Sequence, residues 1–315
     1  MKKYIPVLFF LGQLLIIAFP ASAQDAIKVS EILKNKNDIS IHDISRINHK
    51  VVVADSLQGW QLMWVGGLNG AEAAYNNWSH GGVNTLSITA STIYNMKYRK
   101  DRFAYAFSTN LKYGKAKVEG QGIRKTDDLI AINNKFSYLF GDGVWSAFGN
   151  INLATQIDQG YDYNVPDDQD PTLVSNFFAP AYFTQIWGIA YSPADYFSGE
   201  AGLAMKETIV RNSTLSTRYG LKPGNKFRFE PGYSIGLNFD NKIFSHVRLI
   251  SSVETFTNLQ RHIDNTDVNF SNEMIGKIND FMNMSFQFVM IYDSDFNRRV
   301  QIKQVLSAGL SVNIL

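Results

Sequence analysis

The sequence predicts an all-β chain whose strands close into an up-and-down antiparallel transmembrane β-barrel of about 12 strands. Three observations predict it. Side chains alternate in character with a period of two over most of residues 60–315, the connections between the alternating runs are short and long by turns, and there is no cysteine to staple a small secreted fold.

The first run carries Trp60, Leu62, Trp64 and Leu68. Even positions then take Leu86, Ile88, Ala90, Thr92, Tyr94, Met96 and Tyr98, against mostly Ser, Thr, Asn and Lys on the odd ones. After Arg99-Lys100-Asp101-Arg102 the larger series moves to Phe103, Tyr105, Phe107, Thr109, Leu111 and Tyr113. Two half-buried strands of one hairpin give this pattern. Ile130, Ile132, Phe136, Tyr138 and Phe140 continue it, and Gly141-Asp142-Gly143 turns into Trp145, Ala147, Gly149, Ile151 and Leu153. The phase blurs over 177–191 and 197–210. It is clear again in Phe229, Pro231, Tyr233, Ile235, Leu237 and Phe239, which face away from Glu230, Gly232, Ser234, Gly236, Asn238 and Asp240. A turn at 240–242 leads to Ile243, Val247, Leu249 and Val253; runs at 268–278 and 282–292 pair around Asn279-Asp280; Ile302, Leu306, Ala308, Leu310, Val312 and Ile314 end the series.

Connections are short at 99–102, 141–143, 192–196, 240–242 and 279–280, and longer near 70–82, 114–127, 158–176, 212–228 and 257–267. Short turns on one rim and long loops on the other are the plan of an outer-membrane barrel, with the short rim and both termini periplasmic. In lipid an unpaired backbone amide finds no water, so the sheet must close and turn its larger side chains outward. A soluble barrel or sandwich would put that series inside. Strands of about 10 to 14 residues favour the membrane.

Residues 1–23 read as a secretory signal: Lys2 and Lys3, an apolar run from Ile5 to Phe19, then Ala21-Ser22-Ala23 before Gln24. Residues 24–59 form a periplasmic lead with room for one short helix, and residues 60–315 the barrel. Without Lys2 and Lys3 the 30 basic residues fall to 28, equal to the 28 acidic ones. A neutral chain lacks the basic surplus of a nucleic-acid binder. Without cysteine, a thiol nucleophile and a Cys-ligated metal are also excluded.

Chemical motifs are few. Gly232-Tyr233-Ser234-Ile235-Gly236 matches G-x-S-x-G, but that motif needs a strand-to-helix turn and here it lies within an alternating strand. Asp293, Asp295 and Asn297 imitate a calcium loop, yet Arg298 stands where Gly is required and Gln304 where Glu is. The histidines form no i, i+4 pair, so neither a metal nor a cofactor is expected. Trp78 and His80 either fold inward as a plug or belong to an extracellular loop. Arg124, Lys125, Asp127 and Asp128 either bind an anionic group or pair with one another at a loop base. Strand phase points Lys97, Lys112, Lys135, Glu200, Lys206, Glu230, Arg248, Glu254, Glu273 and Lys277 inward, because charge facing mid-bilayer lipid is costly.

Five stretches resemble an uncharacterised family of Bacteroidota outer-membrane proteins known only as a domain of unknown function. They are NNWSHGGVN (76–84), RKTDD (124–128), TQIDQGYDY (155–163), VSNFFAPAYF (174–183) and IYDSD (291–295). The resemblance implies a barrel-like envelope protein and brings no activity with it; the long 24–59 lead departs from the family.

The expected function is a channel or transporter for a small solute. Its surroundings are outer-membrane lipid, and the barrel-assembly machinery inserts it. A structural or interaction barrel with a filled lumen is the alternative. A barrel lipid hydrolase is a third, needing a Ser-His pair near a rim; Ser245-His246 is a poor one, since strand neighbours face opposite ways. The chain is therefore expected not to be an enzyme.

Overall fold

The computed structural model describes residues 53, 57–74, 84–120, 122–163, 170–260, 266–293 and 297–313. The expected signal segment, most of the expected lead at 24–59, and Trp78 and His80 lie outside them. β1 (Gly59–Ala73), β2 (Thr85–Lys100), β3 (Phe103–Val118), β4 (Gly122–Phe140) and β5 (Trp145–Thr155) are successive antiparallel neighbours. The chain then leaves the wall for a hairpin of β6 (Gly160–Asp162) and β7 (Thr172–Ser175), and returns as β8 (Ala181–Ala194), paired directly with β5. β9 (Phe197–Ile209), β10 (Phe227–Phe244), β11 (Val247–Asn258), β12 (Thr266–Lys277), β13 (Met282–Asp293) and β14 (Asn297–Asn313) complete the circuit. Residues 65–70 of β1 pair with 308–313 of β14, closing a barrel of 12 antiparallel strands, as the periodicity predicts.

Alternation in burial fixes the facing. In β10, Phe229, Ile235 and Leu237 are exposed while Glu230, Ser234 and Gly236 between them are buried. In a closed wall the buried series is luminal. The outer series is apolar on nearly every strand and includes Leu62, Leu68, Trp187, Leu203 and Leu306. Such a belt is far larger than the apolar patches water-soluble proteins expose, and suits hydrocarbon. Near the short-turn rim it ends in paired aromatics, tilted or edge-on to one another: Trp60 with Tyr98 at 4.5 Å, Trp145 with Tyr191 at 4.7 Å, and Tyr196 with Phe239 at 6.0 Å. Tyr98, Phe103, Phe140, Trp145 and Phe239 thus form a girdle at this rim, while Tyr292 stands at the opposite end of β13.

Two connections differ from expectation. The long loop expected at 114–127 is instead an extension of the β3–β4 hairpin, with Val118 opposite Gly122. The register shifts at Gly114/Lys115, leaving Thr126 as an extra residue and reversing the phase, so the period of two breaks where the strand continues. Gly120 and Gly122 turn with positive φ of 75° and 77°, which residues with a Cβ rarely adopt. The turn expected at 240–242 lies instead at Ser245-His246, because Asp240 and Lys242 are luminal strand positions opposite Ile250 and Arg248. Ser245 and His246 are therefore turn residues, not a strand pair.

The blurred phase at 177–191 and 197–210 also has a cause. Residues 177–180 precede β8, and the luminal side here carries apolar groups of its own, Tyr182, Ile186, Ala190 and Ala204.

Candidate functional site

Among the described residues, the lumen is where the fold gathers polar side chains from many strands. Antiparallel register carries inward positions around the wall in oblique rows. One row passes through Asn95, Ser108, Asn133, Asn152, Thr184, Lys206 and Glu230, each opposite the next on β2, β3, β4, β5, β8, β9 and β10. It climbs from the short-turn half to a buried charge cluster near the long-loop rim.

Lys206 is the centre of that cluster. Its Nζ lies 2.7 Å from Asp267 on β12, and 3.9 Å from both Glu230 on β10 and Asp293 on β13. Glu230 also meets Arg228 at 3.0 Å and accepts a hydrogen bond from Asn258 at 3.1 Å. All four residues around the Lys206 ammonium group, itself included, are buried, so attraction is little screened by water. Lower in the lumen Lys135 pairs with Glu200 at 2.7 Å, and at the short-turn end Arg248 makes a two-pronged contact with Asp240, both distances 2.6 Å. Lys303 meets Asp127 at 3.3 Å across the barrel, and Thr89 donates to the same carboxylate at 3.3 Å.

Between the upper and lower charges the luminal wall carries apolar groups. Phe148, Ile186, Ala190, Ala204 and Phe256 form one buried cluster. Lys135 lies 5.2 Å over the Phe148 ring and Lys206 5.0 Å over that of Phe256, so each cation caps one ring. A Cβ on Gly232 would stand 2.7 Å from the Phe256 ring, which shows how closely that ring lies on the wall.

On the other side of the lumen the inward face is less deeply buried. Along β14 the inward residues Gln301, Lys303, Val305, Ser307, Gly309 and Ser311 are all half-buried, as are Val65, Gly67 and Asn69 of β1 and Ser87, Thr89, Ser91 and Ile93 of β2. Ser, Thr and Gly recur on this face. Asn69 folds over Gly309, Ser285 and Ser307 share a hydrogen bond of 2.9 Å, and Asn283 donates to Ser311 at 3.0 Å.

The long-loop rim is organised by side chains that bond backbone. Asp128 is buried and accepts from the amides of Ile157 and Asp158, both at 2.8 Å, and from Lys125 at 2.9 Å. It therefore anchors the segment after β5. Tyr113 donates to Asp158 at 2.6 Å, and this bond holds the Asp158 carboxyl below its ordinary pKa. Beyond β9, Tyr219 packs with Ala179, Val210, Leu215 and Leu221 and donates to the Val174 carbonyl at 2.6 Å; burial pushes its phenol pKa up.

Arg124 stacks on Tyr163 at 4.1 Å, so the 124–128 group is engaged with loop segments and with Lys303. Glu254 and Glu273 occupy luminal positions of β11 and β12, opposite Gly236 and Ile250. The structure thus joins Glu230 to Lys206 but sets Arg248 in a separate, lower pair. Sequence reasoning missed Asp267, Asp293 and Lys303 as parts of these contacts, and Phe148 and Phe256 as luminal aromatics. The available signal was parity: both phenylalanines interrupt the smaller, more polar series of their strands.

A family described as a protein of unknown function (DUF3078) matches residues 71–161, from the end of β1 into β6. No curated protein matches. Similar solved structures include the translocator domain of autotransporter NalP from Neisseria meningitidis, at 10% identity and TM-score 0.39, covering 93% of this chain and 99% of that one. An outer membrane channel from Pseudomonas putida F1 matches at 9% identity and TM-score 0.39, with 84% and 97% covered. The outer membrane channel DcaP of Acinetobacter baumannii matches at 8% identity and TM-score 0.35, with 82% and 100% covered.

Proposed function

We propose that this protein is an outer-membrane channel for a small solute, seated with the short-turn rim and both barrel ends facing the periplasm. The apolar belt and aromatic girdle support a lipid setting, for which the barrel-assembly machinery is the route of insertion. One observation carries the channel reading: the half-buried, small and polar inward face shared by β14, β1 and β2, which continues along the lumen while the opposite face is packed. A filled wall would bury these positions as it buries Phe148 and Phe256.

The solute would pass beside charges that are mostly paired with one another, so passage needs no net counter-charge. The packed face around Phe148, Ile186 and Phe256 favours a second reading, a barrel serving structure or interaction through its loops. Purified full-length protein in planar bilayers separates the two. Discrete current steps are expected; silence across many inserted molecules would leave the second reading.

A further inference from the structure

Resting on the channel reading, we infer that the solute is neutral and rich in hydroxyl groups, of the sugar or polyol class, and that luminal asparagine amides hydrogen-bond it in transit. Four inward-facing asparagines come from different parts of the wall: Asn95 on β2, Asn110 on β3, Asn150 on β5 and Asn269 on β12. Each is nine-tenths buried or more, and each has an amide atom without a hydrogen-bond partner among the described residues. For Asn150 both the oxygen and the nitrogen lack one. Buried polar atoms are ordinarily satisfied, and repeated exceptions on the luminal side of the wall point to a group that arrives from outside.

The chemistry of that group follows from the donors and acceptors. A primary amide offers an N–H donor and a C=O acceptor side by side, and a hydroxyl is likewise both. The inward face beside Asn95 adds Ser87, Thr89, Ser91, Ser307 and Ser311, again neutral and two-sided. Asn110 sits opposite Ile93 on the same β2 wall. Luminal charge is held mainly against opposite charge, Lys135 with Glu200, Lys303 with Asp127, and Lys206 and Arg228 with the three carboxylates of Glu230, Asp267 and Asp293, so both signs stand together along the wall. The remaining inward charges are of both signs: Arg248 is paired with Asp240, Lys277 with Asp280, and Lys97, Lys112, Glu254 and Glu273 share the luminal face.

The test uses full-length protein in planar bilayers under KCl and in phosphatidylcholine liposomes, with glucose as probe and gluconate as its charged counterpart. Glucose should lower the current in a saturable way and swell the liposomes, with gluconate entering several-fold more slowly. Asn110→Leu keeps the volume and removes the amide, and should weaken the glucose effect by about tenfold, the size of one hydrogen bond. Asn95→Leu serves if Asn110→Leu yields no folded, heat-modifiable band. A current that glucose leaves unchanged, gluconate entering as fast as glucose, or a Leu variant blocked as well as the parent would overturn the inference while the channel stands. Silent bilayers would remove the channel reading, and this inference with it.

Discussion

Lys206 on β9 meets Asp267 at 2.7 Å on β12, reaching past the two intervening strands at shorter range than it meets Glu230 on the neighbouring β10. The ammonium group thereby becomes a tie across the upper lumen, with Glu230 and Asp293 each a further 3.9 Å contact. A tie of this kind does more than decorate one strand: it couples wall segments that the hydrogen-bond ladder connects only through their neighbours.

Removing the centre should cost more than removing one spoke. Lys206→Met leaves three buried carboxylates without their shared cation, a loss of about 3 to 5 kcal/mol. Asp267→Asn leaves Lys206 with Glu230 and Asp293 and should cost clearly less. Urea unfolding in lipid, with the double variant closing the cycle, measures both. Equal losses from the two single changes would show that Asp267 alone holds Lys206.

The luminal aromatic cluster predicts a conductance change in the opposite direction from stability. Phe256 fills space beside Gly232 and packs with Phe148, Ile186, Ala190 and Ala204. Phe256→Ala should raise the single-channel current and lower stability by about 3 to 5 kcal/mol at most, the usual range for a buried Phe. An unchanged current with lowered stability would place the limiting constriction elsewhere.

At the long-loop rim a pH effect follows from Tyr113 and Asp158. The folded carboxyl lies below its unfolded value of 3.8, first because Tyr113 donates to it and further through the Gln159 amide and the charges of Lys115 and Lys125. Its contribution is thus fully present above the unfolded value and is lost as pH falls through the folded one. Tyr113→Phe should raise the Asp158 pKa towards the ordinary value and shift acid loosening of the 156–159 segment to higher pH. Carboxyl NMR in detergent micelles reads the shift directly; an unchanged titration would assign the depression to the lysines and the backbone amide.

How legible the barrel was depended on what each strand faces. β10 was plain because one side is Phe229, Tyr233, Ile235 and Leu237 and the other has only Gly, Ser and polar residues. β8 and β9 were not, since Ile186, Ala190 and Ala204 make the luminal side apolar as well. The upper part of β4 was hidden by a single extra residue, Thr126, which inverts the phase at the register shift. Inward charges could be read from parity, but their partners could not. Lys206 and Asp267 are 61 residues apart in sequence, and Asp127 and Lys303 176 apart. Such pairs are created by closure and shear of the barrel and leave no local pattern.

A channel requires that the apolar series face lipid and the polar series the lumen, and three positions test that facing together. Leu237 is 47% exposed on the outer face, Ser234 is 5% exposed on the packed luminal face, and Ser307 is half-buried on the less deeply buried luminal face. Leu237→Arg should cost about 2 to 4 kcal/mol if the residue sits at mid-bilayer. Ser234→Arg should cost about 1 to 3 kcal/mol for a different reason, overpacking against the Phe256 side of the lumen. Because the chain lacks cysteine, single Cys variants give a clean reading. A water-soluble thiol reagent should label Ser307→Cys quickly and Ser234→Cys slowly, while a fluorophore on Leu237→Cys should be quenched by a lipid-dissolved quencher. Fast aqueous labelling at 237 with none at 307 would mean that the apolar series is not in lipid and that no water-filled recess lies along β14, and the channel reading would fall with the facing.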